Sequence, residues 1–180
     1  NKLFDMYNLN LFDAMNVPRY GGSIRCIVSK KKINQTDRLK SLIKKEEDYL
    51  IKNSKKTYET FVNNIISSKE NLIKKITELK ADNKTIIAKS CPARAVVLLN
   101  YCGLNNSHLE YIAEQPTSLK LNQYVPGTKL KIINDDVLMK NEPDYILLLA
   151  WHLSGPIINK WKKKGIKSSF IVPLPTTEII

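Results

Sequence analysis

The fold of this chain is decided by a segment in its middle, Thr85-Ile86-Ile87-Ala88-Lys89-Ser90-Cys91-Pro92-Ala93-Arg94-Ala95. Its first five residues form a strand-like run, and an apolar helical pattern begins at Pro92, which the opening turn of a helix tolerates. In an open α/β sheet, this passage from strand to helix carries the ligand loop, because the N–H groups of the helix N-terminus point at the ligand. The segment therefore predicts a strand over 85–89, a helix over 92–101 and a binding loop between them.

The sequence after this segment continues to alternate between strand and helix patterns. Strands are predicted over 109–113, 145–150 and 169–172, a helical turn over 135–139 and a helix over 155–164, with a further extended segment over 128–133. The run 145–150 is apolar without alternation, which is typical of a strand buried on both faces. Such an order predicts the α/β class, with a Rossmann-like, mostly parallel sheet and crossover helices.

The first half of the chain has a different pattern. A short helix is predicted over 3–16, a turn over 17–22 and a strand over 23–28. Residues 37–81 contain neither Pro nor Gly, and their apolar positions recur at helical spacing. Thr36 or Asp37 can cap this stretch, and Lys52-Asn53-Ser54 interrupts it, so two joined helices are expected. We therefore divide the chain into an N-terminal segment over 1–35, a helical segment over 36–82 and a Rossmann-like domain over 83–180.

The composition limits the classes of function. The net charge is +12, but the lysines are scattered among polar residues without interleaved aromatics, which favours solvated surface over a nucleic-acid footprint. The charge alone supports basic nucleic-acid binding, which is the third of our three functional hypotheses; the other two are given below. Three cysteines without a CxxC pair and two histidines argue against a metal site and favour a reducing cytoplasm. No apolar run approaches the roughly 20 residues that would span a membrane.

Candidate binding residues follow two of the predicted strands. Lys89 and Ser90 end the first strand, and Trp151 and His152 follow the buried strand over 145–150. Open sheets bind ligands at these carboxyl ends. Each residue also has a structural interpretation: Ser90 can cap the following helix, and Trp151 can serve only in packing. No neighbour in sequence orients His152 as a general base.

Five further segments carry a resemblance to a known family. They are Gly21-Gly22-Ser23-Ile24-Arg25, Leu98-Leu99-Asn100-Tyr101-Cys102-Gly103, Tyr124-Val125-Pro126-Gly127-Thr128 and, towards the end, Pro143-Asp144-Tyr145-Ile146-Leu147-Leu148-Leu149-Ala150-Trp151 with Phe170-Ile171-Val172-Pro173-Leu174-Pro175. In this order and spacing the chain resembles the C-terminal domain of S-adenosylmethionine-dependent sugar C-methyltransferases. The resemblance covers nearly the whole chain.

The resemblance implies a function for the parent protein. Members of this family carry a zinc-binding N-terminal domain, a central Rossmann domain that binds S-adenosylmethionine, and this C-terminal domain. They methylate a ring carbon beside a ketone in a nucleotide-linked deoxysugar, through an enolate that attacks the sulfonium methyl group. The family's Tyr-His-Glu-His motif, cysteine-rich domain and glycine-rich cofactor loop are not in this sequence. The resemblance thus implies that cofactor, zinc and catalytic base belong to upstream domains, with the nucleotide sugar and those domains as partners.

The family pattern also identifies where this chain departs from its relatives. Three family glycines correspond to Ala88, Ser90 and Ala95, while Arg94 stands where the family has lysine. Side chains at glycine positions hinder positive φ and close approach of the backbone to a ligand, but a cation at a helix start still favours an anion. The resemblance adds Arg94, Tyr124 and Thr128 to the substrate-binding candidates. The alternative is a glycine-depleted, non-catalytic relative that acts as a binding or scaffolding module.

Overall fold

The computed structural model describes residues 2–18 and 22–180. Contacts between residues group the chain into two compact units, one extending to Asn63 and the other spanning Asn64–Ile180. The boundary falls within a helix. The predicted division into segments 1–35, 36–82 and 83–180 remains a prediction.

The first unit begins with a short helix and a β-hairpin. These are helix α1 (Lys2–Asp5), strand β1 (Asn10–Val17) and strand β2 (Ser23–Ser29), with β1 and β2 antiparallel. The predicted helix over 3–16 was wrong, because Asn8 takes a left-handed φ of +53° and β2 supplies a hydrogen-bonding partner that sequence periodicity does not reveal. The strand predicted over 23–28 is confirmed. Arg19, Tyr20 and Gly21, within the predicted turn, lie outside the described residues.

The helical stretch that follows is interrupted where the sequence predicted it. Helix α2 (Asp37–Glu47) passes through a π-helical turn (Asp48–Lys52) into helix α3 (Ser54–Ala81). Thr36 caps α2, because its hydroxyl accepts a hydrogen bond from the Leu39 N–H at 3.2 Å.

An ion pair fastens α2 to the hairpin of the same unit. Arg38 donates from Nε to Asp13 Oδ1 at 3.0 Å, and Thr36 donates its hydroxyl to the same oxygen at 2.7 Å. These two donors, with the guanidinium hydrogen bond foremost, lower the pKa of Asp13 to about 2. The carboxylate therefore stays ionised at neutral pH.

The second unit contains a six-stranded sheet. Its order is β5-β4-β3-β6-β7-β8, and all neighbouring strands are parallel except the β7/β8 pair. The strands are β3 (Ile86–Lys89), β4 (Ile112–Glu114), β5 (Ile132–Asn134), β6 (Tyr145–Leu148), β7 (Ser169–Val172) and β8 (Glu178–Ile179). Renumbered from β3, this order is 3-2-1-4-5-6, the doubly wound order of dinucleotide-binding folds. The α/β class with a mostly parallel sheet is confirmed.

Helices cover both faces of this sheet. Helix α4 (Ala93–Cys102) follows β3, and helix α5 (Ser154–Lys163) follows β6 after a 3-10 turn (Trp151–Leu153). Alternate strand residues face opposite cores. Ala88 packs in the cluster that contains Leu99 of α4, whereas Ile87 packs in the cluster that contains Trp161 of α5.

Two details of the sheet differ from the sequence prediction. Strand β4 begins at Ile112 rather than at residue 109, because Leu109 still belongs to a turn in which its N–H donates to the Asn105 carbonyl at 3.1 Å. Strand β7 is not the last strand, since β8 returns antiparallel and pairs Ile171 with Ile179. The predicted helical turn is confirmed as a 3-10 helix over Asp135–Met139.

Candidate functional site

The topology creates a switch point between β3 and β6, and we call the space outside the carboxyl ends of these two strands the crevice. Strands β3 and β6 are neighbours, but the chain leaves β3 towards β4 and leaves β6 towards β7. The connections therefore diverge at their carboxyl ends, and open sheets bind ligands at this switch point. The residues that follow the two strands are Ser90 after β3 and, after β6, Trp151 and His152.

The β3–α4 loop contains a left-handed backbone conformation that glycine usually adopts, but the residue there is a serine. Ser90 has φ +68°, in the left-handed region that side chains disfavour. Its N–H donates to the Ala113 carbonyl at 2.9 Å, so β4 holds the strained residue in place. Pro92 is the N-cap of α4, and no side chain caps the helix. Ser90 therefore shapes the loop and does not cap the helix.

The other two replaced glycines have ordinary backbone surroundings. Ala88 is fully buried within β3 and donates its N–H to the Tyr111 carbonyl at 2.9 Å. Ala95 is fully buried in the first turn of α4 and bonds back to the Pro92 carbonyl at 2.8 Å. Neither is among the residues with positive φ. Of the three departures from the family pattern, only Ser90 carries backbone strain.

Two side chains from outside the loop hold it at Cys91. The Cys91 N–H donates to Glu114 Oε2 at 2.8 Å, and the Lys120 ammonium group donates to the Cys91 carbonyl. Burial raises the pKa of the Cys91 thiol, and Glu114 adds to the rise, while Lys120 opposes it. The thiol is therefore protonated at neutral pH and is a poor nucleophile. Burial also raises the pKa of the Cys102 thiol.

A cationic and aromatic group lines the crevice. The Arg94 guanidinium lies over the Trp151 ring, 5.6 Å from its centroid, and the His152 ring meets Trp151 edge-on at 6.2 Å between centroids. Arg94 is exposed at the start of α4, whereas Trp151 and His152 are half-buried. Burial lowers the pKa of His152, and the positive charge of Arg94 lowers it further. The imidazole is therefore neutral at pH 7.

Lys89 lies next to this group but is already paired. Its ammonium group is 2.9 Å from Asp135 Oδ2, and each side chain is only 6% exposed. The same ammonium lies 5.7 Å from the Trp161 ring centroid. Lys89 points into the α5 side of the sheet, so its charge is neutralised inside the protein. That it also contacts substrate remains a prediction.

Tyr124 and Thr128 lie away from the carboxyl ends of the strands, near the C-terminal end of α4. Helix α4 runs back from the crevice, and Asn100 near its end donates to the Pro126 carbonyl at 3.0 Å. Thr128 is buried; its hydroxyl donates to the Val125 carbonyl at 2.9 Å and accepts from the Leu130 N–H at 3.1 Å. The structure therefore places four predicted site residues at the carboxyl ends of β3 and β6: Ser90, Arg94, Trp151 and His152. Lys89 is buried next to them, and Tyr124 and Thr128 are not part of this group.

Sequence reasoning missed Glu114, Lys120 and Asp135. Lys120 and Asp135 act through long-range contacts that no local pattern reveals. Glu114 carried a usable signal, because it is the last residue of the second parallel strand and follows the loop closely in sequence. Doubly wound folds place an acidic side chain at that position.

The described residues show no metal site and no membrane-spanning helix. Within 2–18 and 22–180, no group of three or more His, Cys, Asp or Glu side chains could hold a metal ion. In the same part of the chain, every helix is too short or too polar to cross a bilayer.

The doubly wound sheet defines the second unit as a Rossmann-like α/β domain. Residues 18–175 match the family described as C-methyltransferase C-terminal domain, and the chain belongs to that family. A curated relative, C-methyltransferase NovU of Streptomyces niveus, is 32% identical over 102 residues. Those residues cover 56% of this chain and 24% of the relative, so the match spans about a quarter of that protein. The resemblance found in the sequence is confirmed.

Proposed function

We propose that this domain forms one wall of the substrate cleft in an S-adenosylmethionine-dependent C-methyltransferase that acts on a nucleotide-linked keto-deoxysugar. Membership of the C-methyltransferase family supports the reaction class, and the curated relative supports it further. The choice of a nucleotide sugar rests on the family resemblance. The three free cysteines agree with a reducing cytoplasm.

The observation that carries the proposal is the position of Arg94 over Trp151. A planar guanidinium matches the oxygens of a diphosphate, and the start of α4 adds the positive end of a helix dipole. Trp151 keeps the guanidinium in one orientation and offers an apolar ring edge to the rest of the ligand. A diphosphate bound there would lie at the carboxyl ends of β3 and β6.

The loop does not fit S-adenosylmethionine. Close backbone cradling needs free N–H groups and glycines, yet Ser90 donates to Ala113 and Cys91 donates to Glu114. We therefore assign the cofactor to another part of the polypeptide, and the family resemblance implies that zinc belongs to the family's N-terminal domain. The family resemblance implies that the catalytic base lies in another part of the polypeptide as well, and it agrees with a protonated Cys91 thiol and a Lys89 side chain that is paired with Asp135.

The role of this chain in the reaction is then binding and orientation. Arg94 offsets part of the negative charge of the diphosphate, and the neutral His152 offers a hydrogen bond without adding charge. The half-buried Trp151 excludes water from one side of the ligand. Tyr124 and Thr128 are not part of this crevice, and substrate contact at these residues remains a separate prediction.

Calorimetric titration of UDP-glucose and dTDP-glucose into the full-length protein tests the proposal. We expect Arg94→Ala to weaken binding about tenfold or more, because a charge-assisted hydrogen bond pair is lost. Lys160→Ala is the matched control, since it removes an exposed cation from α5 and should leave affinity unchanged. Equal affinity of wild type and Arg94→Ala would contradict the proposal and favour the binding-module alternative.

A further inference from the structure

Lys120 brings a second positive charge to the β3–α4 loop. It belongs to the segment that follows β4, and its ammonium group donates to the Cys91 carbonyl. An ammonium group has three N–H donors, so two remain for a ligand. In the part of the chain that the structure describes, the exposed Lys120 forms no ion pair, whereas the charge of Lys89 is neutralised by Asp135. The charge of Lys120 is therefore available to an anion.

Lys120 and Arg94 approach this loop from different sides. Strand β3 lies between β4 and β6 in the sheet. Lys120 reaches Cys91 from the segment after β4, whereas Arg94 lies over Trp151, which follows β6. Cys91 and Arg94 are three residues apart, a separation that a chain spans with at most about 11 Å. The two cations therefore flank the carboxyl end of β3, where the proposed ligand binds.

The charges around the loop require Lys120 if a diphosphate is to bind there. Each phosphate of a nucleotide sugar carries one negative charge at neutral pH. The Glu114 carboxylate accepts from the Cys91 N–H at 2.8 Å, and its charge repels a phosphate beside the loop. Because His152 is neutral, the charges of Arg94 and Glu114 alone would cancel. Lys120 makes the group positive again, on the side of the loop where the repulsion arises.

We infer that Lys120 binds one phosphate of the nucleotide sugar while Arg94 binds the other. The inference rests on the proposed function, to which it adds a phosphate-binding residue from a second loop. The ligand then lies across the carboxyl end of β3, with its diphosphate between the two cations. The contact with Cys91 already holds the flexible lysine stem in place, so less conformational entropy is lost when the phosphate binds.

Calorimetric titration of the full-length protein measures the contribution of Lys120, with UDP-glucose or dTDP-glucose as the ligand, whichever the wild type binds more tightly. Lys120→Met keeps the length of the side chain without its charge and should weaken binding about fivefold, as expected for an exposed ion pair. Lys120→Arg keeps the charge and should stay within about twofold of wild type. Lys129→Met, which removes an exposed lysine of the same loop, is the matched control and should leave affinity unchanged. Wild-type affinity of Lys120→Met, or equal weakening by Met and Arg, would overturn the inference.

Phosphorus NMR of the bound nucleotide sugar separates phosphate contact from support of the loop. Its two phosphorus atoms give separate resonances, and binding to the wild type should shift both. At saturating ligand, Lys120→Met should return one resonance towards its position in the free ligand, and Arg94→Ala should do so for the other. If Lys120→Met moves both resonances equally, or neither, the role of Lys120 is only structural and the inference is overturned.

These outcomes are distinguishable from failure of the proposed function. If neither UDP-glucose nor dTDP-glucose binds, or if Arg94→Ala binds them as wild type does, the nucleotide-sugar proposal itself fails, and the assignment of Lys120 fails with it. If binding depends on Arg94 but not on Lys120, only the assignment of Lys120 fails.

Discussion

Substitution of Gly127 by alanine is expected to disrupt the turn that joins the 115–131 loop to α4. Gly127 has φ +79°, and an added Cβ would lie 2.1 Å from Oδ1 of Asn100. The Asn100 side chain cannot move away freely, because its Nδ2 donates to the Val96 carbonyl at 2.8 Å and to the Pro126 carbonyl at 3.0 Å. The change therefore combines backbone strain with a steric clash against a hydrogen-bonded side chain.

The two contributions can be estimated separately. A left-handed backbone costs a residue with a Cβ about 1–2 kcal/mol. Displacing Asn100 loses its hydrogen bond to Pro126, which contributes about 0.5–1.5 kcal/mol. Gly127→Ala should thus lower the free energy of unfolding by about 1.5–3.5 kcal/mol. Gly103→Ala is the matched control, since Gly103 has φ +68° with nothing within 4 Å of the added Cβ, and should cost only the first contribution.

Urea denaturation followed by circular dichroism measures both variants under the same conditions. Asn100→Ala in the Gly127→Ala background removes the clash, so the double variant should lose less than the sum of the two single variants. Equal costs for Gly127→Ala and Gly103→Ala would refute the reasoning, because the contact with Asn100 would then have no energetic effect.

Three further predictions concern the crevice. Ser90→Gly should raise the free energy of unfolding by about 1 kcal/mol, because glycine takes the left-handed φ without strain; a loss of stability in urea titration would contradict it. Lys89→Met leaves the buried Asp135 carboxylate unpaired and should cost about 3–5 kcal/mol, most of it recovered when Asp135→Asn is added; a double variant as unstable as Lys89→Met would argue against the ion pair. Arg94→Ala should raise the pKa of His152 in an NMR titration, since a repelling charge is removed and protonation then begins at higher pH; an unchanged or lower pKa would refute this.

The fold of the second unit was predictable because its signals are local. Strands that alternate with amphipathic helices, and an apolar strand at 145–148, indicate a parallel sheet whatever the details of packing. Strand β1 was not predictable, since it depends on pairing with β2, and a spacing of apolar residues over 3–16 fits a helix equally well. Strand β8 was missed for the same reason, because its two residues form a strand only through their pairing with β7.

The crevice was predictable in position but not in its internal contacts. The order of strands brings Arg94, Trp151 and His152 to one edge of the sheet, as the sequence indicated. The burial of Lys89 was not predictable, because its partner Asp135 follows a different strand. The Thr128 hydroxyl could equally serve a ligand or its own turn, and only the structure shows the bonds to Val125 and Leu130.

The central claim is that a nucleotide sugar binds at the carboxyl ends of β3 and β6, and the two tryptophans of the chain report on it directly. Trp151 lies in the crevice under Arg94, whereas Trp161 is 2% exposed in the core beneath α5. We predict that UDP-glucose or dTDP-glucose shifts the indole N–H resonance of Trp151 in a saturable manner and leaves that of Trp161 nearly unchanged. Saturable binding that leaves the Trp151 resonance in place would contradict the account.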